Sequence, residues 1–190
     1  LIISILIYIE SPGLPFFIQE RIGRHGKSFY IWKFRKMRMD ESPHGVGVTL
    51  EDDKRLTRVG RLIERFKLDE IPQFFNVLRG DMALVGPRAE IPKFVNHRQD
   101  EWEIVHSIRP GVFGYAQTKY TYESNLYPPN CSDPEKYYIQ HILPEKLQLE
   151  IFYVQNRSLW FDLKIYCIVT CRLFAGISHI VLRGLRKGIV

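Results

Sequence analysis

The chain opens on LIISILIYI, Leu1 to Ile9, a run that is almost wholly apolar and yet too short to cross a bilayer. Nine helical residues rise about 14 Å, against roughly 30 Å of membrane hydrocarbon. No basic segment precedes the run, so a signal peptide is a poor reading. A truncated, membrane-embedded segment is the better one, with a short buried strand as the alternative. The remainder is of ordinary globular composition, 45% hydrophobic and 25% charged over 190 residues. That balance excludes wholesale disorder and a polytopic membrane protein, and the length suits one domain with a real core.

Charge narrows the partners. Lys and Arg number 27 against 21 Asp and Glu, a net charge of +6, which favours phosphates, acidic lipid or nucleic acid. Cys131, Cys167 and Cys171 are odd in number and lack metal-type spacing, so they are read as reduced packing residues.

Two aromatic runs, Phe16 to Arg21 and Phe29 to Phe34, flank a turn around Gly23 to Gly26 and predict a β-hairpin. Asp40 to Asp53, with Pro43, Gly45 and Gly47, reads as a surface loop suited to a mobile flap. Two helices are expected next, over Arg58 to Phe66 and from near Asp69 to a glycine stop at Gly80, with Pro72 confined to a first turn. Asp81 to Arg88 is a compact connection, Ala89 to Ser107 a further helix, residues 112–130 an irregular loop, and Asp133 to Tyr153 a helix. From Leu159 to Leu185, apolar residues share faces with Lys164, Arg172, His179 and Arg183. That mixture predicts helices in a membrane interface, a buried C-terminal helix being the alternative.

The chemistry centres on Lys67-Leu68-Asp69-Glu70-Ile71-Pro72-Gln73. Adjacent carboxylates at a helix start are commonly caps that accept free backbone N–H groups. These two, however, are flanked by phosphate-type cations: Lys33, Arg35, Lys36 and Arg38 before them, Arg79 and Arg88 after. Carboxylates among cations suit phosphoryl transfer, in which a carboxylate attacks phosphorus while Mg²⁺, Arg or Lys offset the charge that builds up. On a helix, neighbouring side chains diverge by about 100°, so Asp69 and Glu70 can divide the work. Gly86-Pro87 would present Arg88 rigidly to a phosphate, although pairing with a helix end or a surface carboxylate is the plainer use of such an Arg.

Taken in order, FFIQERIGRHGKSFYIWKFRKM, RLTRVGRLIERFKLDEIPQFFNVLRGDMALVGPR, RPGVFGYAQ and YVQNRSLWFDLKI resemble the bacterial sugar transferase family, the monotopic polyprenyl-phosphate phosphoglycosyl transferases. The resemblance implies a UDP-sugar donor, a polyprenyl (undecaprenyl) phosphate acceptor, UMP release and a phosphosugar carried on Asp69. It makes Glu70 the dyad partner and implies Mg²⁺ held by Asp69 and Glu70. Arg88, Lys33 and Arg35 become phosphate-binding residues, with Gln73 and Asp81 in support. It also implies an α+β fold, mainly helical, with the β-hairpin, a re-entrant N-terminal membrane helix and interfacial amphipathic helices. Residues 1–12 would be the second arm of that re-entrant helix, truncated, and residues 13–190 the catalytic domain on the cytoplasmic face of the bacterial inner membrane.

The pattern departs from the family at Glu64, where a basic residue is usual, at Ala89 in place of a second proline, and at Glu150 in place of Asp. Two other classes compete. One is a non-enzymatic module for anionic membrane lipid. The other is nucleic-acid binding, which dispersed positive charge and a lipid-like tail argue against, so no nucleic-acid partner is expected.

Overall fold

A computed structural model describes residues 1–39, 53–120, 126–128 and 131–172. The flap expected between Asp40 and Asp53 lies outside the described residues except for Asp53, as does the tail beyond residue 172. Among the described residues the chain is mixed and mainly helical, with two two-stranded sheets. No helix there is long and apolar enough to cross a membrane.

The aromatic runs form the expected hairpin. β1 (Phe16–Ile22) and β2 (Ser28–Phe34) pair antiparallel, with Phe16 opposite Phe34 and Ile22 opposite Ser28. The turn between them passes through His25 and Gly26 at positive φ. Since period-two alternation puts opposed residues on one face, Lys33, Ile31 and Arg21 look the same way.

The opening apolar run is a helix, α1 (Ile2–Glu10), rather than a strand. It buries Ile7, with Ile3 beside it, against Phe34, Val59, Ile63 and Leu68. Its last residue caps the next helix: the Glu10 carboxylate accepts the N–H groups of Arg58 and Val59, each at 2.7 Å. That helix, α2 (Arg58–Arg65), is also capped by Thr57, whose hydroxyl accepts from Gly60 N at 2.8 Å. A Cβ on Gly60 would lie 1.9 Å from the Lys36 carbonyl oxygen, so only glycine lets α2 sit this close to the exit of β2.

The second expected helix is corrected. The chain turns through Lys67 at φ 54°, forms a 3₁₀ turn over Leu68–Glu70, and becomes α-helical only at α3 (Gln73–Arg79). Pro72 has no N–H for an α ladder. The segment therefore uses tighter bonds, with Ile71 N donating to Leu68 O at 3.2 Å and Phe75 N to Pro72 O at 3.0 Å. Gly80 closes α3 at φ 83°, as its position suggests.

The connection after α3 holds a strand that local pattern did not reveal. β3 (Ala83–Val85) runs parallel to β4 (Gly111–Phe113). The single helix expected over Ala89 to Ser107 is two, α4 (Pro92–Val95) and α5 (Gln99–Val105), broken where Arg98 leaves helical geometry. Acidic Asp100 and Glu101 then begin a new helix at the positive end of its dipole. The loop expected from 112 contains the end of β4 and then α6 (Tyr115–Lys119).

The helix expected over Asp133 to Tyr153 is present as α7 (Pro134–Tyr137), a π turn (Tyr138–Ile142) and α8 (Leu143–Asn156). Phe94, Trp102, Val105, Tyr138, Leu143 and Leu147 build the largest buried cluster among the described residues. A last helix, α9, covers residues 159–172. It buries Ile165 and Val169 with Tyr153 but leaves Leu159, Trp160, Leu163 and Tyr166 exposed. Over the described part of the tail, one face is thus buried and the other apolar and open.

Candidate active site

Four segments converge. The 3₁₀ turn supplies Asp69 and Glu70, the start of α3 supplies Gln73, β2 supplies Lys33, and the turn after β3 supplies Arg88. A small cleft is lined by Arg21, Ile31, Lys33, Gln73, Met82 and Arg88. The convergence depends on a close backbone approach: a Cβ on Gly111 would lie 2.1 Å from Gly86 N. Two glycines facing each other therefore let β3 and β4 meet and carry Arg88 to the dyad.

Glu70 is buried and met by two cations. Arg88 Nη2 donates to its Oε1 at 2.9 Å, and Lys33 Nζ lies 3.6 Å from the same oxygen. Burial would raise its pKa, but Arg88, Lys33 and Lys67 outweigh that and hold the carboxyl well below the usual range. Asp69 is only 4% exposed, and among the described residues its buried Oδ1 has no hydrogen-bond partner. Desolvation, then the neighbouring Glu70 charge, push Asp69 up, against the pull of Lys33, Lys36 and Lys67. Lys33 is itself lowered to about 8, by burial first, with Glu70 opposing. Two adjacent carboxylates are thus shifted in opposite directions, an arrangement that suits divided acid–base or nucleophilic roles.

The capping role for these carboxylates is not what is seen, since Glu70 turns to side chains and Asp69 Oδ1 meets no donor. Gln73 is buried at the cleft. Two expected site residues are elsewhere. The guanidinium of Arg35 donates to Ser11, both to its carbonyl oxygen and, at 3.4 Å, to its hydroxyl. β2 ends at Phe34, so the strand alternation that aims Lys33 at the cleft does not carry to Arg35. Asp81 sits beyond the far end of α3, where it meets Arg79 at 3.5 Å and the Asn76 amide at 3.5 Å. Arg79 is drawn away with it. Glu64 takes Lys36 as its partner at 2.5 Å.

Sequence reasoning passed over three buried residues that shape this site. Arg21 lines the cleft, and its place opposite Phe29 in the hairpin register is the signal that finds it. Asn76 docks α3 on β2. Glu90 gathers Arg21 and Tyr138 behind Arg88. Glu150, noted only as a departure, accepts from Arg88 N at 3.4 Å, and burial raises its carboxyl to about 7.

Among the described residues no three His, Cys, Asp or Glu side chains group as a metal site. A hard cation can still take one or two carboxylates and complete its shell from substrate phosphate and water. The unpartnered buried Asp69 Oδ1 suits that use, whereas Glu70 Oε1 already faces two cations.

Residues 1–176 match the family model described as bacterial sugar transferase. The chain is 38% identical over 165 residues to a UDP-N-acetylgalactosamine-undecaprenyl-phosphate N-acetylgalactosaminephosphotransferase of Aeromonas hydrophila, covering 85% of this chain and 36% of the relative. It is 33% identical to a UDP-glucose:undecaprenyl-phosphate glucose-1-phosphate transferase of Escherichia coli K12, covering 92% of this chain and 36% of the relative. It is 37% identical to the uncharacterized sugar transferase EpsL of Bacillus subtilis 168, covering 93% and 78%. The chain therefore spans about a third of the length of the first two relatives and most of the third.

Proposed function

Because this chain belongs to the bacterial sugar transferase family, we propose that it moves a sugar-1-phosphate from a UDP-sugar to undecaprenyl phosphate through a covalent intermediate on Asp69. The observation that carries this reading is the pairing of Asp69, whose buried Oδ1 has no hydrogen-bond partner among the described residues, with a second carboxylate, Glu70, clamped by Arg88 and Lys33.

In the first half-reaction an Asp69 carboxylate oxygen attacks the β-phosphorus of the donor. The bond from that phosphorus to the bridging oxygen breaks, UMP leaves with the electron pair, and an acyl-phosphosugar remains on Asp69. In the second, an oxygen of the lipid phosphate attacks the same phosphorus, forms the polyprenyl diphosphate sugar and returns the Asp69 carboxylate. Arg88 and Lys33 offset the charge on the transferred group and the leaving phosphate. Glu70 holds both cations in place and keeps Arg88 pointed at the reacting centre. Asp69, with Glu70 beside it, would hold a Mg²⁺ that supplies further charge neutralisation.

The same reading places the protein on the cytoplasmic face of the inner membrane as a monotopic enzyme that starts a surface glycan. Support comes from exposed apolar residues on α1 (Ile2, Tyr8, Ile9), α3 (Phe75, Leu78) and α9 (Leu159, Trp160). Such residues suit burial in an interface, with α1 as one arm of a re-entrant segment.

Asp69→Asn tests the mechanism. With UDP-sugars, undecaprenyl phosphate and magnesium, the variant should release no UMP and show no phosphosugar mass on the intact protein. Turnover near the wild-type rate in Asp69→Asn would end the covalent route.

A further inference from the structure

Arg88 can hold Glu70 only if its own turn is held. Before it, the backbone is tied to the sheet, with Gly86 N donating to Phe113 O at 3.0 Å and Gly111 N to Pro87 O at 2.8 Å. After it, the chain leaves β3, and Ala89 offers none of the backbone restriction that a proline would.

The next residue gathers the missing restraint. Glu90 O accepts from Ile22 N at 2.9 Å, and Ala89 O accepts from Arg21 Nη1 at 3.1 Å. The buried Glu90 carboxylate is met from three elements. Its Oε1 accepts from Arg21 Nη1 at 3.0 Å and from Ile91 N at 2.9 Å. Its Oε2 accepts from the Tyr138 hydroxyl at 2.6 Å. Lys146 Nζ donates to that hydroxyl at 2.8 Å and lies 3.9 Å from Oε2.

Tyr138 reaches Glu90 from the π turn between α7 and α8, with its ring 4.6 Å from that of Phe94. Such widened turns recur where a helix must re-aim a side chain at a functional site. Here the turn brings Tyr138 and Lys146, eight residues apart, onto one carboxylate.

We propose that Glu90 is a positioning residue for Arg88: with Arg21, Tyr138 and Lys146 it fixes the turn that aims the guanidinium at Glu70. The kinetic part of this inference rests on the phosphotransfer reading above. Charge on the phosphoryl group and leaving phosphate is greatest in the transition state, so a displaced guanidinium acts there. The loss accordingly falls on kcat rather than KM.

The test uses the protein in nanodiscs and three variants. Tyr138→Phe removes one oxygen from the cluster, and Glu90→Gln removes its charge at constant shape. Tyr153→Phe deletes a comparable hydroxyl, bonded to Asp162 at 2.6 Å, at the joint between α8 and α9. The readouts are thermal stability, kcat and KM for UMP release, and the side-chain Nε–H resonance of Arg88, assigned through Arg88→Lys. In Tyr138→Phe and Glu90→Gln the Arg88 resonance should move and kcat fall roughly tenfold, with KM within about twofold. Tyr153→Phe should lower the melting temperature and leave the resonance and kcat alone.

An unmoved Arg88 resonance with wild-type kcat in the first two variants overturns the proposal, and so does an equal kcat loss in Tyr153→Phe. If Glu90→Gln fails to fold, Tyr138→Phe alone decides. If the wild type releases no UMP from any UDP-sugar, the phosphotransfer reading fails, and the Arg88 resonance still decides whether Glu90 positions it.

Discussion

The joint between α3 and the hairpin is made by one amide. Asn76 is completely buried. Its Oδ1 accepts from Trp32 N at 3.2 Å and its Nδ2 donates to Tyr30 O at 2.8 Å. These are the two bonds that a further strand would make along the open edge of β2, so the side chain stands in for a strand. Asn76→Ala leaves the Trp32 N–H and the Tyr30 carbonyl, both covered by Asn76, without them, at about 1–3 kcal/mol for each. The sum is about 4 kcal/mol, a large share of the roughly 5–15 kcal/mol that holds a domain together. At about 2–4 °C per kcal/mol for a chain of this size, the melting temperature should fall by about 12 °C. The site should loosen too, because Lys33 follows Trp32 and Gln73 lies one turn before Asn76. Thermal unfolding of the detergent-solubilised protein, followed by intrinsic fluorescence, reads the effect. A drop of less than about 3 °C would refute the reasoning, since orphaning both groups must then be nearly free.

Burial lowers the Lys33 ammonium to about 8, so kcat/KM for the donor should decline as the pH passes about 8, and Lys33→Arg should lose that limb. In stability the sign is opposite: between pH 8 and the ordinary lysine value of 10.5 the unfolded chain binds the extra proton. Wild type should therefore gain on Lys33→Met as the pH rises through that window, which denaturant titrations at its two ends would show. Phe75 and Leu78 are 62% and 83% exposed. Serine at both should reduce flotation with anionic liposomes while shifting the melting temperature by no more than about 2 °C; unchanged flotation would remove α3 from the membrane-facing surface.

What the sequence made legible was local. The hairpin is written in two aromatic runs around a glycine turn, and α2 lies where the helix over Arg58 to Phe66 is expected, its Thr57 cap being visible only in the structure. Lys33 is legible in the hairpin block and Asp69, Glu70, Gln73 and Arg88 in the block after it; Glu70 meets Lys33 and Arg88 in space, and Gln73 lies on the same cleft. The illegible parts depend on distant partners. β3 and β4 have three residues each and pair across 28 positions, so neither has a signal until the other is in place. Gly86 and Gly111 each look like turn glycines, and only their contact explains both. Arg35 and Asp81 are near the motif in sequence, but a strand end and a helix length remove them from the site. Arg21 and Glu90 look like surface charges on a strand and a turn; burial against each other, 69 residues apart, is what makes them part of the scaffold.

The 3₁₀ turn at Leu68–Glu70 accounts for how neighbouring carboxylates come to behave so differently. At three residues per turn, adjacent side chains diverge by about 120°, more than on the α-helix that the sequence suggested. Glu70 can then face Arg88 and Lys33 while Asp69 turns off that axis. Had both faced the cations, both would be held strongly ionised and poorly nucleophilic. With the two split, Glu70 absorbs most of the positive charge and its own negative charge pushes Asp69 up. Glu70 is therefore no passive neighbour. Removing its charge would free Arg88 and Lys33 to engage Asp69 and lift the repulsion on it, coupling every change at one carboxylate to the reactivity of the other.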